Sequence, residues 1–156
     1  MLKTLTLVTA ALLAATPAVA QNAAFVGPRV ELNTGLRDIN RDDVNYGATV
    51  GFDVPLGTRF TAGIDGDAQN VFDRDGRELG VGARLGFAVS DNLLAFGRVG
   101  YTNLDGRFRN LEGVSYGGGL NFAMTKNLFA NAEYRHTDFQ RRVNTDGVRV
   151  GLGLRF

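Results

Sequence analysis

The sequence predicts an all-β protein, an eight-stranded antiparallel up-and-down transmembrane β-barrel preceded by a cleaved signal peptide. Three observations predict it: a recurring seven-residue pattern, alternation of apolar and polar residues, and an apolar leader. The pattern has Gly second, Val or Leu fifth and Phe last, and its copies are Tyr46–Phe52, Val81–Phe87, Tyr116–Phe122 and Val150–Phe156. The copies begin about 35 residues apart, the length of a hairpin of two ten-residue strands. Four such hairpins give eight strands.

The first twenty residues have the features of a secretory signal peptide. Lys3 supplies a positive start, the run from Leu5 to Ala15 is mostly apolar, and Ala18-Val19-Ala20 matches an A-x-A cleavage site. The apolar run is too short for a membrane-spanning helix, which needs about 20 residues. We therefore expect residues 1–20 to be a signal peptide and residues 21–156 to form a single barrel domain, exported from the cytoplasm.

Composition excludes several functional classes. The 17 basic and 16 acidic residues nearly cancel, which argues against nucleic acid as a partner. The chain has no Cys and one His, so neither a disulfide framework nor a transition-metal site is expected. The segment from Asp38 resembles a calcium loop only in its acidic spacing, because Asp43 stands where a Gly is needed. We expect no metal and no cofactor.

The predicted strands follow from alternation with period two. In the final segment one face holds valines, leucines and Phe156, and the other holds arginines and glycines. Short periplasmic turns are expected near residues 55–58, 90–92 and 125–127. Longer polar loops are expected at the opposite, outer end of the barrel, at Arg37–Val44, Gln69–Glu78, Leu104–Glu112 and Phe139–Asp146. The predicted strands are Phe25–Leu36, Asn45–Val54, Arg59–Ala68, Leu79–Val89, Leu93–Asn103, Gly113–Met124, Leu128–Asp138 and Gly147–Phe156.

The polar stripe of these strands predicts a charged interior. In a transmembrane barrel the apolar stripe faces lipid and the polar stripe fills the lumen, and eight strands leave an interior just wide enough for side chains. Charges removed from water must be paired, so we expect an ion-pair network rather than an open channel, with a narrow pore as the alternative. Its predicted members are Arg29, Glu31, Asp53, Asp65, Asp67, Arg84, Arg98, Glu133, Arg135, Arg149 and Arg155.

The phenylalanines that end the repeats predict an aromatic ring at the end of the barrel that carries the short turns. Four tyrosines are expected on the lipid face closer to the outer end of the barrel: Tyr46, Tyr101, Tyr116 and Tyr134. The alternative is a soluble barrel in which the same rings form the core. The predicted ring, which also contains the C-terminal residue, consists of Phe52, Phe87, Phe122 and Phe156.

With these features the chain resembles the small eight-stranded barrels of bacterial outer membranes: OmpA-like transmembrane domains, OmpX-like proteins and opacity-type or "porin family" proteins. The segment Asn127–Arg135 looks like the penultimate strand of that family, and Gly147–Phe156 looks like its closing strand. The resemblance implies insertion by the barrel-assembly machinery, which reads the last strand and its aromatic end. We expect a monomer in the Gram-negative outer membrane. We expect a structural or surface-interaction role in the integrity of the cell envelope.

Catalysis is not expected. A barrel-type lipid A deacylase of similar size needs a Ser nucleophile, a His base and an acidic partner within hydrogen-bond reach. Alternation places His136 on the lipid face and Ser115 in the lumen, while Ser90 lies in a turn at the opposite end. Nucleophile and base therefore share no face.

Basic residues recur in the four predicted outer loops, where lipopolysaccharide phosphates would lie. Arginine binds phosphate through charge-assisted hydrogen bonds, although acidic residues in the same loops would offset part of the charge. The candidate contacts with outer-membrane lipid and lipopolysaccharide are Arg41, Arg74, Arg107 and Arg141.

Overall fold

A computed structural model describes residues 23–38, 42–71, 76–106, 109–140 and 143–156. Eight antiparallel strands pair in chain order and close into a barrel, because β1 pairs with both β2 and β8. The strands are β1 Gly27–Asp38, β2 Asp42–Leu56, β3 Phe60–Val71, β4 Gly76–Ala88, β5 Leu93–Gly106, β6 Arg109–Ala123, β7 Leu128–Phe139 and β8 Val143–Arg155. The predicted fold class is confirmed.

The burial pattern of the strands follows the pleat of the sheet. Successive side chains point to opposite faces, so one register places all odd or all even positions of a strand inside. In β8, Arg149 and Arg155 are buried, whereas Val150 and Leu152 are more than half exposed. The barrel thus has a polar interior and an apolar exterior, the reverse of a water-soluble barrel.

Short turns join the strands at one end, which we call the turn end. They cover residues 57–59, 89–92 and 124–127, and both described chain termini lie there too. Gly57 has a φ of +83°, a conformation that glycine adopts without a steric penalty. We call the other end the outer end.

The expectation of long loops at the outer end was wrong. All eight strands continue beyond their predicted bounds there; β1 reaches Asp38 and β2 begins at Asp42, in register as an Asp38–Asp42 pair. Alternation persists in residues that had been assigned to loops on polarity alone. At the turn end, Phe25 was expected in β1 but belongs to a 3₁₀ turn, Ala23–Phe25.

Within the described ranges no helix is long and apolar enough to cross a membrane. The signal peptide predicted for residues 1–20 lies outside those ranges and stays a prediction.

Candidate functional site

The interior of the barrel is the candidate site, because charged side chains line it from end to end. The structure buries each of the eleven residues that the sequence placed there, at 1–8% exposure. Seven arginines and six carboxylates are buried in the described part of the chain, so opposite charges nearly balance.

Asp53 on β2 organises the ion pairs nearest the turn end. Arg29 Nε lies 3.1 Å from Oδ2, Arg84 Nε lies 3.3 Å from Oδ1, and Arg155 Nη2 lies 3.4 Å from Oδ2. One carboxylate thereby faces three guanidinium groups from β1, β4 and β8. Such pairing offsets the cost of removing these charges from water.

Asp65 on β3 links this group to the middle of the lumen. Arg29 Nη2 lies 3.2 Å from Asp65 Oδ2, while Arg98 on β5 donates from Nε at 2.9 Å and from Nη2 at 2.6 Å to Oδ1. Arg98 Nη1 also donates to Ser115 Oγ on β6 at 3.3 Å. Guanidinium groups with several donors suit this shared geometry.

Two carboxylates and two arginines form the next layer. Arg149 on β8 places Nη1 3.2 Å from Asp67 Oδ1 and Nη2 3.1 Å from Glu133 Oε1. Arg135 on β7 donates from Nε to Glu133 at 2.9 Å and from Nη1 to Asp67. Since β3 and β7 lie on opposite walls of an eight-stranded barrel, the pair from Arg135 to Asp67 crosses its full width. Glu31 forms a longer ion pair, with its Oε2 3.9 Å from Arg29 Nη1.

Sequence reasoning missed the outermost pair. Arg37 and Glu78 were assigned to loops, yet both are buried on β1 and β4 and form an ion pair. Arg37 also donates to Thr145 Oγ1 from Nε at 3.2 Å and Nη2 at 3.0 Å, and Thr102 donates to Glu78 at 2.8 Å. The missed signal was alternation itself, because Arg37 continues the series that contains Arg29.

Glycines on the inner face make room for the guanidinium groups. A Cβ at Gly82 would lie 2.6 Å from Arg98 Cζ, and one at Gly51 would lie 2.8 Å from Arg29 Cζ. Side chains at these positions would displace the arginines, so the glycine stripe and the ion pairs depend on each other. A cavity of about 20 Å³ near the outer end, lined by Arg37 among others, has room for about one water molecule.

The exterior carries the phenylalanines predicted to form the ring. Phe87, Phe122 and Phe156 are 39%, 50% and 71% exposed, and Phe52 is half-buried. Phe87 contacts Phe60 with ring centroids 5.1 Å apart. All four rings point away from the lumen, as alternation requires. Their role as an assembly signal stays a prediction.

The candidate catalytic residues lie on opposite sides of the barrel wall. Ser115 is 1% exposed and bonded to Arg98, whereas His136 is on the exterior. Its Nδ1 lies 2.7 Å from Asp146 and its Nε2 lies 3.1 Å from Asp138.

In the described part of the chain, no group of three or more His, Cys, Asp or Glu residues is placed to hold a metal ion. The candidate lipopolysaccharide contacts lie outside the residues whose side chains are described; they are Arg41, Arg74, Arg107 and Arg141.

A closed barrel with an apolar exterior, outward aromatic rings and a paired, charged interior defines a transmembrane barrel of the outer-membrane type. The family model for the outer membrane protein beta-barrel domain matches residues 6–156, and the chain belongs to this family. It is an outer-membrane protein.

One curated relative also carries an outer-membrane name, and two solved structures share the fold. The chain is 27% identical over 134 residues to a 25 kDa outer-membrane immunogenic protein of Brucella ovis; the match covers 76% of this chain and 66% of that protein. The chain thus spans about two thirds of the relative. The N-terminal barrel domain of Pseudomonas aeruginosa OprF superposes with a TM-score of 0.61 at 15% identity, covering 84% of this chain and 99% of that one. The outer membrane enzyme PagL superposes with a TM-score of 0.60 at 15% identity, covering 82% and 99%. Both superpositions show a shared fold.

Proposed function

We propose that this protein is a structural barrel of the cell envelope whose lumen is closed by ion pairs and conducts no steady current. The observation that carries the proposal is the bridge from Arg135 on β7 to Asp67 on β3, which crosses the barrel at full width. Arg149 reinforces it from β8. A solute would have to break several buried ion pairs at once, each costly to open in a medium of low dielectric constant.

Planar-bilayer recording tests the closed lumen. The chain is refolded in detergent, its folded state is established by heat-modifiable migration on gels, and it is then added to a lipid bilayer. We expect no steady single-channel steps, whereas an open porin in the same bilayer gives them. Steady steps from the folded protein would establish the alternative, a narrow passive pore, and overturn the proposal.

We infer that the barrel works without turnover. Ser115 donates no proton to an imidazole, because His136 lies on the other side of the wall and contacts Asp146 and Asp138 instead. A nucleophile and base in reach of one another are the minimum for acyl transfer. Incubation with lipopolysaccharide followed by fatty-acid analysis tests this, and release above that of a His136→Ala variant would contradict it.

We further infer that the protein acts as a monomer inserted by the barrel-assembly machinery. Closure of β1 onto β8 leaves no unpaired sheet edge in the described barrel for a second chain, and an apolar exterior suits lipid, including lipopolysaccharide acyl chains. The exposed ring of Phe156 directly after β8 supports the proposal that this residue is the assembly signal. A Phe156→Ala variant should reach the outer membrane in reduced amount while refolding normally in detergent. Normal amounts in cells would remove that role.

A further inference from the structure

The lumen changes character at the turn end, where the charged lining gives way to an apolar cluster. Ala88, Leu94, Phe96 and Ala123 face inward from β4, β5 and β6, each at most 7% exposed. The same cluster contains Phe25, which belongs to no strand and is only 1% exposed. A residue from outside the barrel wall therefore fills the turn-end mouth.

The backbone at the start of β1 places Phe25 in the turn-end mouth of the barrel. Gly27 has a φ of +105°, a conformation that L side chains rarely adopt, and a Cβ there would clash with the Phe156 carbonyl oxygen. Glycine is thus required twice at this position, for its dihedral angle and for its close approach. The turn redirects the preceding residues from the wall into the mouth.

Arg155 holds the segment in place. Its Nη1 donates to the Ala24 carbonyl oxygen at 2.6 Å, and its guanidinium lies 5.8 Å from the ring centroid of Phe25 and 5.1 Å from that of Phe129. The same side chain pairs with Asp53. Arg155 on β8 therefore contacts two aromatic rings, a backbone carbonyl and a carboxylate. These contacts connect the segment to β8 and to the ion pairs nearest the turn end.

We propose that the segment Ala23–Phe25 is an apolar seal that closes the lumen against water from the turn end, since the short turns of outer-membrane barrels face the periplasm. Two polar side chains directly beyond the seal are almost completely buried, with Thr61 1% exposed and Asn121 0% exposed. Thr61 lies next to the seal because it and Leu94 both approach Gly86. Water admitted here would weaken the ion pairs around Asp53 by raising the local dielectric constant. The proposal rests on the closed lumen described above. It adds that Ala23–Phe25 excludes water from the half of the lumen nearest the turn end.

Single-cysteine labelling tests the seal, because the natural chain has no cysteine to interfere. Thr61→Cys places a thiol above the seal, and Ser115→Cys places one in the outer half of the lumen. Each is combined with wild-type Phe25, with Phe25→Ala, with Phe25→Leu, or with Phe122→Ala. The last removes a phenylalanine from the exterior near the same end. A charged thiol reagent is added to the refolded protein in lipid vesicles, with heat-modifiable migration as the folding check.

With Phe25 present we expect slow modification of the thiol at position 61, and with Phe25→Ala at least about tenfold faster modification, a factor in keeping with loss of one buried aromatic ring. Phe25→Leu should preserve slow modification, and Phe122→Ala should not accelerate it. Modification of the thiol at position 115 should not respond to any of these changes.

An unchanged rate at position 61 in folded Phe25→Ala protein would overturn the seal while leaving the closed lumen intact. Equal acceleration by Phe122→Ala would overturn it too, because loosening of the wall would then explain the effect. Rapid modification of both thiols with Phe25 in place would show instead that the lumen is open, and the proposed function would fail. A Gly27→Ala variant supplies a second route, since it should accelerate modification at position 61 with Phe25 still present in the chain.

Discussion

Arg98 binds Asp65 through two guanidinium nitrogens, Nε at 2.9 Å and Nη2 at 2.6 Å from the same carboxylate oxygen. Both residues are more than nine-tenths buried, and they join strands β3 and β5, which are not neighbours in the sheet. The pair thus connects parts of the wall that backbone hydrogen bonds do not. Through Arg29 it also meets the Asp53 group, so the ion pairs form a chain along the lumen.

The first prediction concerns the centre of that chain. Asp65→Ala leaves the guanidinium of Arg98 facing a buried space without its nearest carboxylate, and loss of one partner of a buried pair costs about 3–5 kcal/mol. We expect the free energy of unfolding in urea to fall by an amount of this order. Since the chain has no Trp, the folded fraction is read from heat-modifiable gels.

Two variants control this experiment. Asp91→Ala removes a carboxylate from the exposed turn after β4 and should change the free energy of unfolding by less than about 0.5 kcal/mol. Asp65→Asn keeps the shape of the side chain, so its free energy of unfolding should lie between those of the Asp65→Ala and Asp91→Ala proteins. Equal stability of the Asp65→Ala and Asp91→Ala proteins would mean that the Arg98 pair contributes nothing measurable.

Alternation predicted most of the interior because its physical cause is local. A strand residue points inward or outward by its parity alone, so Arg84, Arg135 and Arg149 could be placed without knowing their partners. Which carboxylate each arginine meets could not be predicted. The pair from Arg135 to Asp67 depends on barrel closure and strand stagger, which bring residues 68 positions apart into contact.

Two errors have physical explanations. Arg37 and Glu78 looked like loop residues because charged segments are usually solvated, yet the partners they find in the lumen allow the strands to continue. Phe25 looked like the start of a strand because an apolar residue precedes an alternating run. Its position depends on the positive φ of Gly27, which no periodicity reveals.

The second prediction concerns the ion pair between Arg37 and Glu78 at the outer end. Arg37→Glu places two carboxylates opposite each other and should destabilise the barrel, and the double variant Arg37→Glu with Glu78→Arg should recover part of the loss. With the Glu78→Arg single variant and the wild type these proteins complete a double-mutant cycle, from which we expect a coupling free energy of about 0.5–3 kcal/mol, measured by urea unfolding. Strict additivity would show that the two side chains do not interact in the folded barrel.

The third prediction compares two glycines on adjacent strands. A Cβ at Gly119 would clash with the Ala132 carbonyl oxygen and lie 2.8 Å from Phe96 Cζ, whereas one at Gly97, on the exterior, would lie 3.9 Å from its nearest neighbour. Gly119→Ala should therefore lower the free energy of unfolding by about 1–3 kcal/mol through overpacking. Gly97→Ala should leave it unchanged or raise it by less than about 1 kcal/mol, because alanine restricts the unfolded chain. The reverse order of stabilities would contradict the inner-face position of Gly119, which lies two residues before the buried Asn121 on β6.

The fourth prediction tests which face of the wall meets lipid. Leu152 is 58% exposed and pairs with Leu32 and Ala130 on the strands to either side of β8, so in a membrane it lies among acyl chains. Leu152→Lys should lower the free energy of unfolding in lipid vesicles by about 2–4 kcal/mol, the cost of a cation at the bilayer midplane.

Val44 supplies the matched control for that cost. It is 46% exposed on the same outward face, but it lies near the outer end of β2, where a lysine side chain can reach the interface. Val44→Lys should therefore cost no more than about 1 kcal/mol. In a barrel surrounded by water both lysines would be solvated, and the two variants would be equally stable. A depth-dependent difference between Leu152 and Val44 thus measures the lipid contact directly, and its absence would mean that the apolar face does not lie in a bilayer.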